Sequence, residues 1–191
     1  MPHFAAFCRV MNFILEARDR FDPQRTAQNA ASCGIRGHLV QVIKILFICH
    51  GNICRSAAAE VVMKQMAAEA GRRDLRIASA AATREEIGND IYPPMKKALV
   101  NAGYECARHA ARQTVRADYE QWDLLIGMDD ENLWDMKHIY GGDPEGKISL
   151  LMDWAGEPGR EIEDPWYTRN FSGVLRQIEE GCRGLLEKIG R

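Results

Sequence analysis

The pattern of apolar and polar positions changes character at residue 42. Upstream, an apolar start broken by Arg9 and Asn12 gives way to Asp-Pro, Gln, Asn, Ser-Cys-Gly and Gly-His with no sustained period, so residues 1–41 read as an N-terminal extension. Its apolar stretch allows a short helix over 4–18 followed by a linker, a targeting segment, or upstream sequence brought in by a wrongly assigned start codon. From residue 42 the pattern is regular, and 42–191 read as one domain. Residues 42–48, Val-Ile-Lys-Ile-Leu-Phe-Ile, form a β-branched, nearly continuous apolar run, which predicts a strand buried on both faces. A glycine-bearing loop follows, then a helix over 56–70, with Ala59, Val62, Met63, Met66 and Ala70 recurring at helical spacing and Gly71 as its stop. The alternation continues with a strand over 75–79, a helix over 93–102 closed by Gly103, and a strand over 123–128. A helix over 131–139 ending at Gly141-Gly142, a short strand over 147–151 and a long helix over 171–189 complete it. The last helix carries Val174, Leu175, Ile178, Leu185 and Leu186 on its apolar side.

Strands alternating with helices predict parallel strands joined by right-handed crossovers, hence an open α/β sandwich. Ligands of such sheets bind beyond the carboxyl ends of the strands, where the loop after residue 48 lies. Composition narrows the class of ligand. Hydrophobic residues are 46% and charged residues 27% of the chain, the balance of a soluble globular protein. A formal net charge of -2 provides no general attraction to nucleic acid or to an anionic membrane, so any anion site must be local. The six cysteines, at 8, 33, 49, 54, 106 and 182, show neither zinc-type spacing nor the density of a disulfide scaffold, and read as reduced thiols of a cytoplasmic protein. No apolar run approaches the ~20 residues that a membrane-spanning helix needs.

The candidate anion site is the segment Cys49-His50-Gly51-Asn52-Ile53-Cys54-Arg55-Ser56. Cysteine followed six positions later by arginine is weak evidence by itself, because Cys106 and Arg112 repeat that spacing. Context separates the two. No glycine lies between Cys106 and Arg112, whereas Cys49 ends a buried strand and Gly51-Asn52 tolerates the positive φ that a loop wrapping its amides around an anion requires. The helix that follows adds free N–H groups and a partial positive charge at the same spot. Those amides and Arg55 favour the Cys49 thiolate, a nucleophile. Arg55 offers a planar fork matched to two phosphate oxygens. The Ser56 hydroxyl is suited to hydrogen-bond the sulfur, and Asn52 to hold the loop's backbone. The nucleotide-binding patterns GxxxxGK[ST] and GxGxxG after a strand are absent.

These residues, with Ala59-Glu60, Ser79-Ala80, Ile87-Gly88-Asn89, His109-Ala110-Ala111-Arg112-Gln113, residues 123–129 with Asn132-Leu133, and Glu163-Asp164-Pro165-Trp166-Tyr167, resemble the low-molecular-weight protein tyrosine phosphatases along nearly all of 42–191. The resemblance implies an open three-layer sandwich around a four-stranded parallel sheet, the phosphotyrosine phosphatase I-like fold. It also implies no metal or other cofactor, phosphotyrosine proteins as substrates, and a two-step reaction through a cysteinyl phosphate. It makes Asp164 the general acid, in a segment where Pro165 restricts the preceding residue to an extended backbone. By the same resemblance His109 supports Asn52, Trp166 and Tyr167 grip a flat substrate ring, and Cys49 with Cys54 forms a reversible disulfide under peroxide. A monomer or weak homo-oligomer is expected. Three positions depart from the family pattern: His50, Ala57, and Arg84-Glu85-Glu86 in place of a loop that often carries an aromatic residue. The acidic pair predicts a preference for basic phosphopeptides. Related arginine phosphatases carry threonine where Ile53 stands, which favours phosphotyrosine here. Arsenate reduction on the same fold needs relay cysteines that Cys106 and Cys182 are poorly spaced to supply, and a non-catalytic phosphate-binding module would not need Cys49, Arg55, Ser56 and Asp164 together.

Overall fold

In the computed structural model, which describes residues 42–190, the continuous apolar run is strand β1, Ile43–Cys49. Its side chains alternate between two cores: Ile45 and Phe47 enter one, Leu46 and Ile48 the other, and all four are fully buried. Because both faces are covered, the run has no polar alternation. Strand β2 (Leu75–Ala81), β3 (Leu124–Gly127) and β4 (Ile148–Leu150) join it in a wholly parallel sheet of order β2-β1-β3-β4. The helices in chain order are α1 (Arg55–Glu69), α2 (Pro93–Asn101), α3 (Asp118–Gln121), α4 (Asp130–Tyr140), α5 (Leu151–Trp154), α6 (Pro165–Thr168) and α7 (Phe171–Ile189).

Two helical layers follow from the two cores. Met63 of α1, Met95 and Leu99 of α2, Trp154 of α5 and the apolar stripe of α7 pack on the Ile45/Phe47 face. Tyr119 of α3 and Leu133, Met136 and Tyr140 of α4 cover the Leu46/Ile48 face. On α7, Val174, Leu175, Ile178 and Leu185 are buried as the periodicity predicts, each contributing about 2 kcal/mol by leaving water, while Leu186 lies at the edge and is only partly buried. The expected sandwich and sheet are thus observed, with modest shifts of element ends. The helix expected from residue 56 starts at Arg55 and ends at Glu69, and β2 runs on to Ala81. The helices α3, α5 and α6 are not anticipated, since a single turn is too short to show a helical period. Among the described residues no helix is long and apolar enough to cross a membrane. The readings for residues 1–41, with Cys8 and Cys33, fall outside the described residues.

Candidate active site

β1 delivers Cys49 at its carboxyl end, and the chain turns at once into α1. The turn uses a left-handed residue, Asn52, with φ 58°. Of the Gly51-Asn52 pair it is Asn52 that takes the positive φ; at Gly51 a Cβ would meet Glu86 Cγ at 3.1 Å. Asn52 is fully buried and has its side chain completely satisfied. Its Nδ2 donates to Ser56 Oγ at 3.0 Å and to Ser79 Oγ at 2.7 Å, and its Oδ1 accepts from the Arg112 amide at 3.2 Å. Ser79 Oγ passes the chain on by donating to Glu60 Oε2 at 2.5 Å. His109 Nε2 lies 2.8 Å from the Asn52 carbonyl oxygen, so that nitrogen carries the proton and donates it. A strained left-handed asparagine costs about 1 kcal/mol, and this set of bonds over-determines it.

The same bookkeeping fixes Ser56. Its oxygen accepts from Asn52 and lies 3.0 Å from Cys49 Sγ in the buried floor of the loop, with the Ala80 carbonyl at 3.5 Å as a further acceptor for its proton. Arg55, 3% exposed, projects its guanidinium from the first turn of α1. Nη1 donates to Asp129 Oδ2 and to the Ile162 carbonyl at 3.3 Å, and Nη2 donates to Asp164 Oδ2 at 3.0 Å. Burial opposes the charge on Arg55, but Cys49, Asp129 and Asp164 more than offset it and raise its pKa. Burial, reinforced by Cys49, pushes the Cys54 thiol well above the usual cysteine range, so Cys54 stays protonated beside Cys49.

Asp164 sits where its loop is tied down. The Ile162 side chain is buried in the core and its amide donates to the Met128 carbonyl at 2.8 Å, while the Glu163 amide donates to Gln177 Oε1 at 3.2 Å. Pro165 begins α6, and Asp164 before it is extended at φ -83°, ψ 110°, as the Asp-Pro pair predicts. Asp164 Oδ1 accepts from the Trp166 amide at 2.9 Å, which aims the carboxyl group with Oδ2 toward Arg55.

Cys49, His50, Gly51, Ile53, Cys54, Arg55, Asp164, Trp166 and Tyr167 all border one cleft of about 370 Å³. Asn52, Ser56 and His109 lie behind it, supporting the loop. Four lining or supporting residues escape the sequence reading: Asp129, Tyr92, Glu131 and Phe171. Tyr92 packs its ring 5.6 Å from Trp166 and 5.8 Å from Phe171, and Arg169 stands over Trp166 at 5.2 Å, so the exposed Trp166 is held by neighbours rather than by burial. Glu85, Glu86 and Glu131 make the rim acidic, with His50 Nε2 3.1 Å from Glu85 Oε2. Nearby, burial and then Glu131 lift the pKa of Asp135 above the ordinary carboxylate value. Cys106 and Cys182 are not among the cleft residues; their sulfurs lie near the Tyr104 and Ala59 carbonyls. Arg112 is turned away from Cys106 onto Asp118, at 3.0 Å. Among the described residues no group of three or more His, Cys, Asp and Glu is placed to hold a metal ion.

Comparison with known proteins identifies the family. A family model described as low molecular weight phosphotyrosine protein phosphatase matches residues 44–191. The low molecular weight protein-tyrosine-phosphatase YfkJ of Bacillus subtilis is 33% identical over 150 residues, covering 78% of this chain and 96% of its own. The Drosophila melanogaster low molecular weight phosphotyrosine protein phosphatase 1 is 35% identical, covering 77% and 97%. The crystal structure of YfkJ superimposes with a TM-score of 0.75 over 82% of this chain and 98% of that one, at 32% identity.

Proposed function

The chain belongs to the low molecular weight phosphotyrosine protein phosphatase family, and we propose that it hydrolyses protein phosphotyrosine through a phosphocysteine, with no metal taking part. One observation carries the reading: Cys49 Sγ, the Arg55 fork and the Asp164 carboxyl group converge on a single cleft walled by Trp166 and Tyr167. A phosphate entering the loop takes the place of Asp164 on Arg55 Nη2, and the loop amides and the start of α1 share its negative charge. The Cys49 thiolate attacks phosphorus in line, forming the S–P bond as the P–O bond to tyrosine breaks, and protonated Asp164 gives its proton to the leaving oxygen. Asp164, now a carboxylate, takes a proton from water attacking the phosphocysteine. Sulfur leaves as thiolate toward the Ser56 hydroxyl, and inorganic phosphate is released. The test is turnover of an aryl phosphate, phosphotyrosine and phosphoarginine side by side in excess chelator. Aryl phosphate and phosphotyrosine are expected to be hydrolysed undiminished; phosphoarginine turned over faster than phosphotyrosine would move the chain to a different substrate class. Ile53 has no hydroxyl to orient water on a phosphoramidate, which supports the tyrosine reading. A chemistry resting on a free thiolate also suits a reducing, cytoplasmic compartment.

The rim adds a preference among substrates. Glu85, Glu86 and Glu131 surround a pocket that must accept a dianion, so they oppose acidic flanks and attract basic ones. Phosphotyrosine peptides flanked by lysine are expected to exceed glutamate-flanked ones in kcat/KM by roughly two- to fivefold per charge, the worth of an exposed ion pair, and the gap should close as salt is raised. Equal rates at low salt, or an acidic preference, would reject this. We further propose that 42–191 is the complete phosphatase domain and that 1–41 is dispensable for chemistry. A chain starting at Val42 should keep kcat/KM for an aryl phosphate within about twofold, as expected when no removed residue contributes to the transition state; a larger loss would give the extension a part in the site.

A further inference from the structure

Ile53, Glu86 and Tyr92 form a ridge with two sides. One side faces the catalytic cleft; the other borders a second groove of about 570 Å³ that runs along α2 from Pro93 to Val100. The ridge is fixed, because the Tyr92 amide donates to the Ile53 carbonyl at 2.7 Å and the Tyr92 ring packs against Trp166 and Phe171. We propose that this groove is a substrate subsite, which takes a large apolar side chain standing two or three residues from the phosphotyrosine of the protein substrate. The proposal rests on the phosphatase reading above and extends it to the sequence around the phosphotyrosine.

Three observations support that occupant. First, the groove is continuous with the cleft: a peptide whose phosphotyrosine ring lies beside Tyr92 has only this one ridge to cross, and an extended chain advances ~3.3 Å per residue. Second, the groove's wall is apolar where a side chain would settle. Ile53, Tyr92, Pro93 and Val100 supply it, and Val100 is 57% exposed although α2 otherwise turns its apolar positions, Met95, Ala98 and Leu99, inward. Third, of the polar groups at its edge all but the exposed Lys97 are engaged with one another. Asp90 accepts from Lys96 Nζ at 2.7 Å and from the His109 amide at 3.0 Å, and Glu86 accepts from Asn89 Nδ2 at 2.6 Å. Beside the Lys97 ammonium, what remains there is hydrocarbon surface, which an aliphatic or aromatic side chain covers and a polar one does not.

The experiment uses the full chain and a set of phosphotyrosine peptides in which leucine or serine is placed in turn at each of the three positions before and after the phosphotyrosine, with a small aryl phosphate alongside. On one side of the phosphotyrosine, at one or two positions, leucine is expected to raise kcat/KM about tenfold over serine, through a lower KM at nearly constant kcat, the pattern of uniform binding. In Val100→Asp the leucine-to-serine ratio at those positions should fall to near one, and in Val100→Leu it should be kept. A ratio near one at all six positions in the wild type, or an unchanged ratio in Val100→Asp, overturns the subsite while turnover of the aryl phosphate leaves the phosphatase reading standing. If the wild type turns over neither peptides nor aryl phosphate, both readings fall together.

Discussion

Replacing Cys49 with serine is expected to reduce aryl phosphate hydrolysis by roughly 10⁵-fold or more while leaving the protein folded, the scale of loss seen when an enzyme's nucleophile is removed. The size of the effect follows from the surroundings. Cys49 has a hydroxyl, Ser56 Oγ at 3.0 Å, to stabilise a thiolate, but no base among its hydrogen-bond partners to take a proton from an alcohol. The proposed route needs a sulfur nucleophile, and a serine hydroxyl gives up its proton far less readily than a thiol does. The fold should tolerate the change, because the smaller oxygen can still bond Ser56 and the Asn52 bonds to Ser56, Ser79 and Arg112 do not involve the sulfur. A steady-state assay paired with a thermal melt checks both halves. Cys106→Ser serves as the contrast and should be fully active. Activity surviving Cys49→Ser would refute the covalent route.

Asp164→Ala should lower kcat for phosphotyrosine by about 10²- to 10⁴-fold, the range for loss of a positioned general acid. Its signature is a split between parameters. The substitution removes the carboxylate that holds Arg55 Nη2 at 3.0 Å, so phosphate binding loses a competitor and KM should hold or fall as kcat drops. The loss should also shrink for aryl phosphates with acidic phenols, whose leaving oxygen needs no proton. A uniform loss across leaving groups, or a rise in KM alone, would make Asp164 a structural partner of Arg55 instead of the acid.

Several parts of this architecture are legible in the sequence because their causes are local. The run before Cys49 is apolar at successive positions, and a strand covered on both faces has no other pattern available. The last helix has the expected bounds, Phe171–Ile189, because nineteen residues give its period room to show. Asn52 is legible as a left-handed residue, although Gly51 beside it is there for the approach of Glu86 instead. The illegible parts are made by distant pairs. Arg55 finds Asp129 across 74 positions and Asp164 across 109, and nothing in the neighbourhood of either carboxylate announces the arginine. Asp129 had one usable signal, an acid at the junction of a strand and a helix, but that also describes an ordinary helix cap. It is such a cap as well, accepting from the Asn132 amide at 2.8 Å. Tyr92 and Glu131 reach the cleft only because the parallel sheet gathers successive strand ends at one edge. Cys106 and Arg112 teach the converse. Their spacing copies that of Cys49 and Arg55, yet with no strand end or helix start between them the two side chains go to separate partners, Tyr104 and Asp118.

The anchoring of Ile162 and Glu163 bears on how a catalytic cycle is timed. A general acid carried on a mobile flap must be gathered in at each turnover, and that gathering can govern the rate. Here the backbone just before Asp164 is bonded to Met128 and Gln177, and its carboxyl group is gripped from both oxygens, by Trp166 and Arg55. The ordering cost of this backbone is therefore met once, when the chain folds, and on substrate binding only the Asp164 side chain has to exchange Arg55 for the leaving oxygen. Catalysis in this protein is expected to need no closure of the loop before Asp164, only that side-chain exchange.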